Sequence, residues 1–145
     1  MSAWNEFPSL HPMVVHFPIA LLVFAALFQA VSLFWSDTGW QRSAATLLFG
    51  GLVGTILASW VFHPEPFSIS GEARQTFENH KNYADYTLYL VITSSVAVTV
   101  RLVWRATGRW IAWVACILML AASVMVCITG HLGAQLTHIH KIEAE

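Results

Sequence analysis

Seven histidines are the residues of this chain best suited to chemistry, and all seven lie on one side of its apolar runs. His11 and His16 precede or open the first run, His63 closes the second, and His80 leads into the third. His131, His138 and His140 follow the fourth. The two connections on the opposite side, 36–42 and 105–109, hold none. Imidazole ligates transition metals and haem iron, and it titrates near neutral pH. A one-sided collection at helix ends therefore points to a ligand or proton site at one membrane face.

Two local motifs carry most of these residues. In Leu10-His11-Pro12-Met13-Val14-Val15-His16-Phe17-Pro18 the two prolines make a stiff corner that places His16 at the first turn of a helix. Met13 reads as packing, and His11 as part of the corner as much as a ligand. In Thr129-Gly130-His131-Leu132-Gly133-Ala134-Gln135-Leu136-Thr137-His138-Ile139-His140 the two glycines let the backbone pass close to another element or a bound ring. If that helix continues, His131 and His138 share a face, whereas His138 and His140 diverge. His63 and His140 read as interfacial or capping residues.

The elements that must position these side chains follow from composition. The chain has 145 residues, 57% of them hydrophobic and only 10% charged, with a mean hydropathy of +0.61. A soluble domain usually carries about 25% charged residues, so this is an integral membrane protein. The net charge is -1 and no basic run exists to follow a phosphate backbone, which excludes nucleic acid as a partner. Residues 1–15 hold no Lys or Arg, so the first helix is expected to be retained rather than cleaved as a signal peptide.

Four runs, 17–35, 44–62, 83–104 and 110–129, each approach the ~20 residues that cross ~30 Å of hydrocarbon. They predict an all-α, up-down four-helix transmembrane bundle forming a single domain over 1–145. Its helices are expected at about 15–35, 43–63, 71–104 and 109–131, followed by a short C-terminal tail. Ser70 is the expected N-cap of the third helix, and Arg74 and Glu78 are spaced to pair on its exposed face. The short loops dense in Arg42, Arg101, Arg105 and Arg109 should be cytoplasmic. Both termini and all seven histidines then face the periplasm of a bacterial inner membrane. Trp35, Trp40, Trp104 and Trp110 fall at the cytoplasmic ends, and Trp60, Tyr83 and Tyr86 at the others, as interfacial belts require.

Within the spans, Gly50, Gly54 and Ala58 form a small-residue ridge suited to close packing inside the bundle, or to a homodimer contact. Gln29 must find a hydrogen-bond partner on a neighbouring helix. Cys116 and Cys127 read as small core residues, about 16 Å apart along one helix and beyond disulfide reach.

In a closed bundle helices 1 and 3 lie diagonally and helix 4 neighbours both. His16, His80 and His131 are then expected to converge over one mouth, with His138 nearby. Two imidazoles from different helices are how a bundle grips a b-type haem. No CxxCH is present, so covalent c-type attachment is excluded. Asp85 either marks the interface or orients a ligand histidine. The same histidines would equally serve a bare copper, zinc or iron site. In a cofactor-free scaffold subunit of a larger complex they would only pack.

The opening LHPMVVHFPIALL, the segment around His80 and the closing GHLGAQLTH resemble the DUF2231 family of small four-helix bacterial membrane proteins. Relatives occur joined to c-type cytochrome domains, and the resemblance therefore implies electron transfer. It maps the family's histidines onto His11, His16, His80, His131 and His138. Gln29 stands where many members carry Asp, and the tail lacks the glycine expected after the final histidine. The leading expectation is an electron-transfer subunit rather than a stand-alone enzyme. It would hold one haem b, or two, through His16, His80, His131 and His138. It would link quinol to a periplasmic c-type cytochrome, alone, as a homo-oligomer or in a larger complex.

Overall fold

Hydrocarbon offers no water to pair with peptide groups, so each apolar run must close its hydrogen bonds within itself. The computed structural model has one helix per run: α1 (Leu10–Phe34), α2 (Thr38–Trp60), α3 (Glu72–Val103) and α4 (Arg109–His138). The structure describes the backbone of residues 10–35, 37–60, 71–104 and 108–138, and side chains from 16–35, 37–59, 71–104 and 108–136. Among these, the segments His16–Phe34, Thr38–Ser59, Glu72–Val103 and Arg109–Leu136 are long and apolar enough to cross a membrane. Each helix packs on its neighbours in the chain, and α1 closes the ring against α4. The diagonal pairs, α1 with α3 and α2 with α4, keep their backbones apart among the described residues. This is the expected all-α bundle.

Three helix ends differ from the expectation, each for a local reason. Helix α1 starts at Leu10, so Pro18 sits in its interior rather than its first turn. A membrane helix tolerates this where neighbours cover the freed backbone, and Pro18 is buried against Gly54 of α2. Helix α2 starts at Thr38 because the Asp37 carboxylate accepts the Gly39 N–H at 2.8 Å, an N-cap bond that begins the helix inside the expected loop. Helix α4 runs on through Gly130 and Gly133 to His138, and the expected tail is therefore partly helical. At the start of α3 the cap is Gly71 rather than Ser70, which lies outside the described residues. The φ of +66° at Gly71 favours glycine.

The side chains are arranged for lipid outside and close packing inside. Phe24, Leu27, Val53, Ile92, Val96, Ile117 and Val124 point outward, while small residues such as Ala25, Ala26, Ala45, Ala115 and Ala122 line the core beside Leu22, Leu48 and Met119. Small residues let the helix backbones approach, which is where membrane bundles gain their packing energy. The interior also holds Gln29, Ser32, Thr55, Thr87, Ser94, Ser95, Ser123 and Thr129. Their hydroxyls are satisfied by the main chain: Ser94 donates to Leu90, Ser95 to Val91, Thr55 to Gly51, and Ser123 to both Met119 and Leu22. The Gln29 carboxamide donates across to the Ala112 carbonyl of α4 at 3.2 Å, the interhelical partner its position demanded.

The glycine ridge of α2 faces α1, within the bundle. A Cβ on Gly54 would lie 2.7 Å from Pro18 Cγ, and one on Gly50 3.3 Å from Leu21 Cδ1. Gly51, which the ridge omitted, is equally tight, with Leu22 Cδ2 at 2.7 Å. Cys116 is buried as expected, but Cys127 is exposed because it lies on the outward stripe of α4. At the arginine-rich end, Arg109 Nη2 donates to the Leu33 carbonyl at 2.8 Å, satisfying an orphan acceptor at the end of α1. Trp35, Trp104 and Trp110 are exposed around it.

Candidate functional site

Along α3 the residues His80, Thr87, Val91, Ser94, Ser95 and Val98 are buried. His80, Thr87 and Ser94 recur every seven residues, so they share the face that α3 turns inward. At the start of the helix Gly71 is the cap and Arg74 Nε bonds Glu78 Oε1 at 3.1 Å on the exposed face. His80 is only 9% exposed, and it lies between α3 and α4.

What holds the ring is a main-chain bond. His80 Nδ1 lies 2.9 Å from the Thr129 carbonyl oxygen. A carbonyl can only accept, so Nδ1 carries the proton and, in the neutral ring, Nε2 bears the lone pair. Gly133, one turn on from Thr129, makes room for the ring: a Cβ there would lie 3.3 Å from His80 Cε1 and 3.6 Å from Nδ1. Beneath the ring, the Thr87 and Thr129 hydroxyls approach to 3.4 Å. Each already donates one turn back, to Tyr83 and Met125 respectively. The rise along α4 from Arg109 to His131 is about 33 Å at 1.5 Å per residue. That matches the ~30 Å of hydrocarbon and places His80 near the boundary opposite the arginines.

The other candidates are placed differently. His131 is exposed, on the side of α4 away from His80, with its Nε2 accepting from Gln135 Nε2 at 3.1 Å. His16 is exposed on α1, the helix diagonal to α3. His80 and His131 thus lie at one level but on different sides of α4, and they do not converge. His138 closes α4, and its side chain, like those of His11 and Met13, lies outside the described residues. His63 and His140 lie outside them entirely. Asp85 is exposed. Among the described residues no group of three or more His, Cys, Asp and Glu side chains is gathered to hold a metal ion.

Sequence reasoning singled out Gly133 as a point of close approach but not what approaches it, which is the imidazole of His80. It missed Thr129 and Thr87, whose only mark in the sequence is their spacing from Gly133 and His80. A ring fixed through Nδ1–H to a backbone carbonyl is in the tautomer used by metal-ligating histidines. In that tautomer Nε2 is the ring atom that a haem iron or metal ion would take.

The model of the family of predicted membrane proteins termed DUF2231 matches residues 8–145, a stretch that includes all four helices. The chain belongs to the DUF2231 family. The four-helix membrane architecture that the resemblance implied is the one observed. No curated protein and no solved structure matches this DUF2231 chain.

Proposed function

We propose that this DUF2231 protein is a b-type haem subunit of a bacterial inner membrane, with His80 as one axial ligand. The observation that carries this reading is the bond from His80 Nδ1 to the Thr129 carbonyl, 2.9 Å. It fixes the tautomer and the ring plane before any ligand arrives, and that is the usual role of a second-layer acceptor. His80 is the one axial ligand this reading assigns, because His16 faces out from α1, the helix diagonal to α3. A haem there would supply one-electron chemistry. The chain's own part is to hold the imidazole, exclude water with α3 and α4, and set the depth of the site at one hydrocarbon boundary.

At that depth the subunit would exchange electrons between quinol in the bilayer and a periplasmic c-type cytochrome, without carrying them across the whole membrane. Orientation rests on Arg42, Arg101 and Arg109 at the opposite end, which by the positive-inside rule is cytoplasmic. Both termini are then periplasmic.

The test is the reduced-minus-oxidised absorption spectrum of protein purified from its native membrane, with a pyridine haemochrome assay. A b-type α-band at stoichiometric haem that His80→Ala abolishes is the expected result. Colourless protein from haem-replete cells would overturn the reading.

A further inference from the structure

The outward face of α4 carries a second, separate constellation. Trp113, Ile117, Leu120, Val124, Cys127 and His131 are all exposed, and they recur at alternating intervals of four and three residues. That 3.5-residue period makes one continuous stripe along the helix, the spacing a second helix would need to pack on it. Its last two members differ from the rest in being metal ligands. Cys127 and His131 are one turn apart, the spacing at which helical side chains are neighbours.

We propose that Cys127 and His131 form half of a zinc site that the same pair from a second copy of this chain completes. Zinc takes four ligands in a tetrahedron, and two cysteines with two histidines is a standard closed set. One chain offers two, and no third ligand is gathered among its described residues. Two copies inserted the same way in a membrane are related by a two-fold axis along its normal. The contact is then isologous, each α4 meeting the other at equivalent positions. The seam Trp113–Val124 lies against its counterpart below the metal.

Charge favours this set near a hydrocarbon boundary. On binding, each Cys127 thiol releases its proton to water, two Zn–S and two Zn–N bonds replace bonds from the hydrated ion to its waters, which leave, and nothing is oxidised or reduced. Two thiolates neutralise the dication and the imidazoles are neutral. The completed site therefore has no net charge to bury near the hydrocarbon boundary, where an unpaired charge is costly. Gln135 serves as the outer contact. Ligation through His131 Nδ1 leaves Nε2–H as a donor, and a half-turn of the carboxamide now 3.1 Å away presents its oxygen to it.

The site is independent of haem binding, and the experiment keeps the two apart. Full-length protein in detergent micelles is titrated with Co²⁺ and Zn²⁺, following the thiolate-to-cobalt charge-transfer absorption, the metal content and the mass of the protein particle. The expected result is one ion per two chains and a metal-dependent dimer. Both should be lost in Cys127→Ser and His131→Ala but kept in Cys116→Ser and His80→Ala. Absence of the charge-transfer band in wild type, or metal binding unchanged by Cys127→Ser, would overturn the proposal. One ion bound per monomer would do the same.

Discussion

His80 Nδ1 and the carbonyl oxygen of Thr129 are 2.9 Å apart across the α3–α4 interface. The bond joins a titratable side chain to the main chain of a helix forty-nine positions away, and Gly133 leaves the ring room beside it. Histidine, threonine and glycine together form a socket, and the first prediction tests that socket directly.

Gly133→Ala should fall short of the usual gain from alanine in a helix, about 1 kcal/mol, because the new Cβ would lie 3.3 Å from His80 Cε1. In a His80→Ala background the ring is gone and the gain should reappear. A double-mutant cycle by denaturant unfolding in micelles isolates the coupling. Additive effects would mean that the ring does not depend on this glycine.

The α1–α2 contact should be far less tolerant. A Cβ at Gly51 would lie 2.7 Å from Leu22 Cδ2, and Leu22 is only 2% exposed, so it has nowhere to go. At Gly54 the obstacle is the rigid Pro18 ring, also at 2.7 Å. Gly51→Ala and Gly54→Ala should each cost about 1–3 kcal/mol, the range for overpacking. Gly50→Ala, facing only the flexible end of Leu21 at 3.3 Å, should cost less than either. Equal effects at all three positions in the same unfolding assay would contradict this packing.

Gln29 offers a milder test. Its bond to the Ala112 carbonyl is buried and interhelical, and such bonds in membranes average about 0.6 kcal/mol. Gln29→Leu should therefore destabilise by under about 2 kcal/mol and leave the fold intact. Loss of folded protein would assign Gln29 a larger role than one hydrogen bond explains.

Orientation is checked by labelling. With Cys116 and Cys127 replaced by serine, a single cysteine at Glu78 should react with an impermeant maleimide added outside intact spheroplasts. One at Asp37 should react only after lysis. The reverse pattern would invert the assignment of both faces.

Much of this was legible in the residues themselves. The Arg74–Glu78 pair, the interhelical partner of Gln29 and the packing of the glycine ridge all follow from local spacing or from the cost of an unpaired amide. The helix ends were less so. Asp37 carried a cap signal inside what reads as a loop, and α4 passes through Gly130 and Gly133 because Ile19 and His80 pack against them. Cys127 illustrates the limit most clearly: an apolar run shows that a residue spans the membrane but not which way it faces.

By itself the sequence determined that this protein is a four-helix membrane bundle with its histidines at one end. Hydrocarbon thickness and the need to pair every peptide group act on each run separately, so length and composition suffice. Only the tertiary structure decided that His80 turns inward. Successive residues on a helix differ by about 100°, and the rotation of each helix is set by what its neighbours can accommodate. Close approach at Gly51, Gly54, Gly130 and Gly133 sets those rotations, turning His80 toward Thr129 and leaving His16 and His131 facing out.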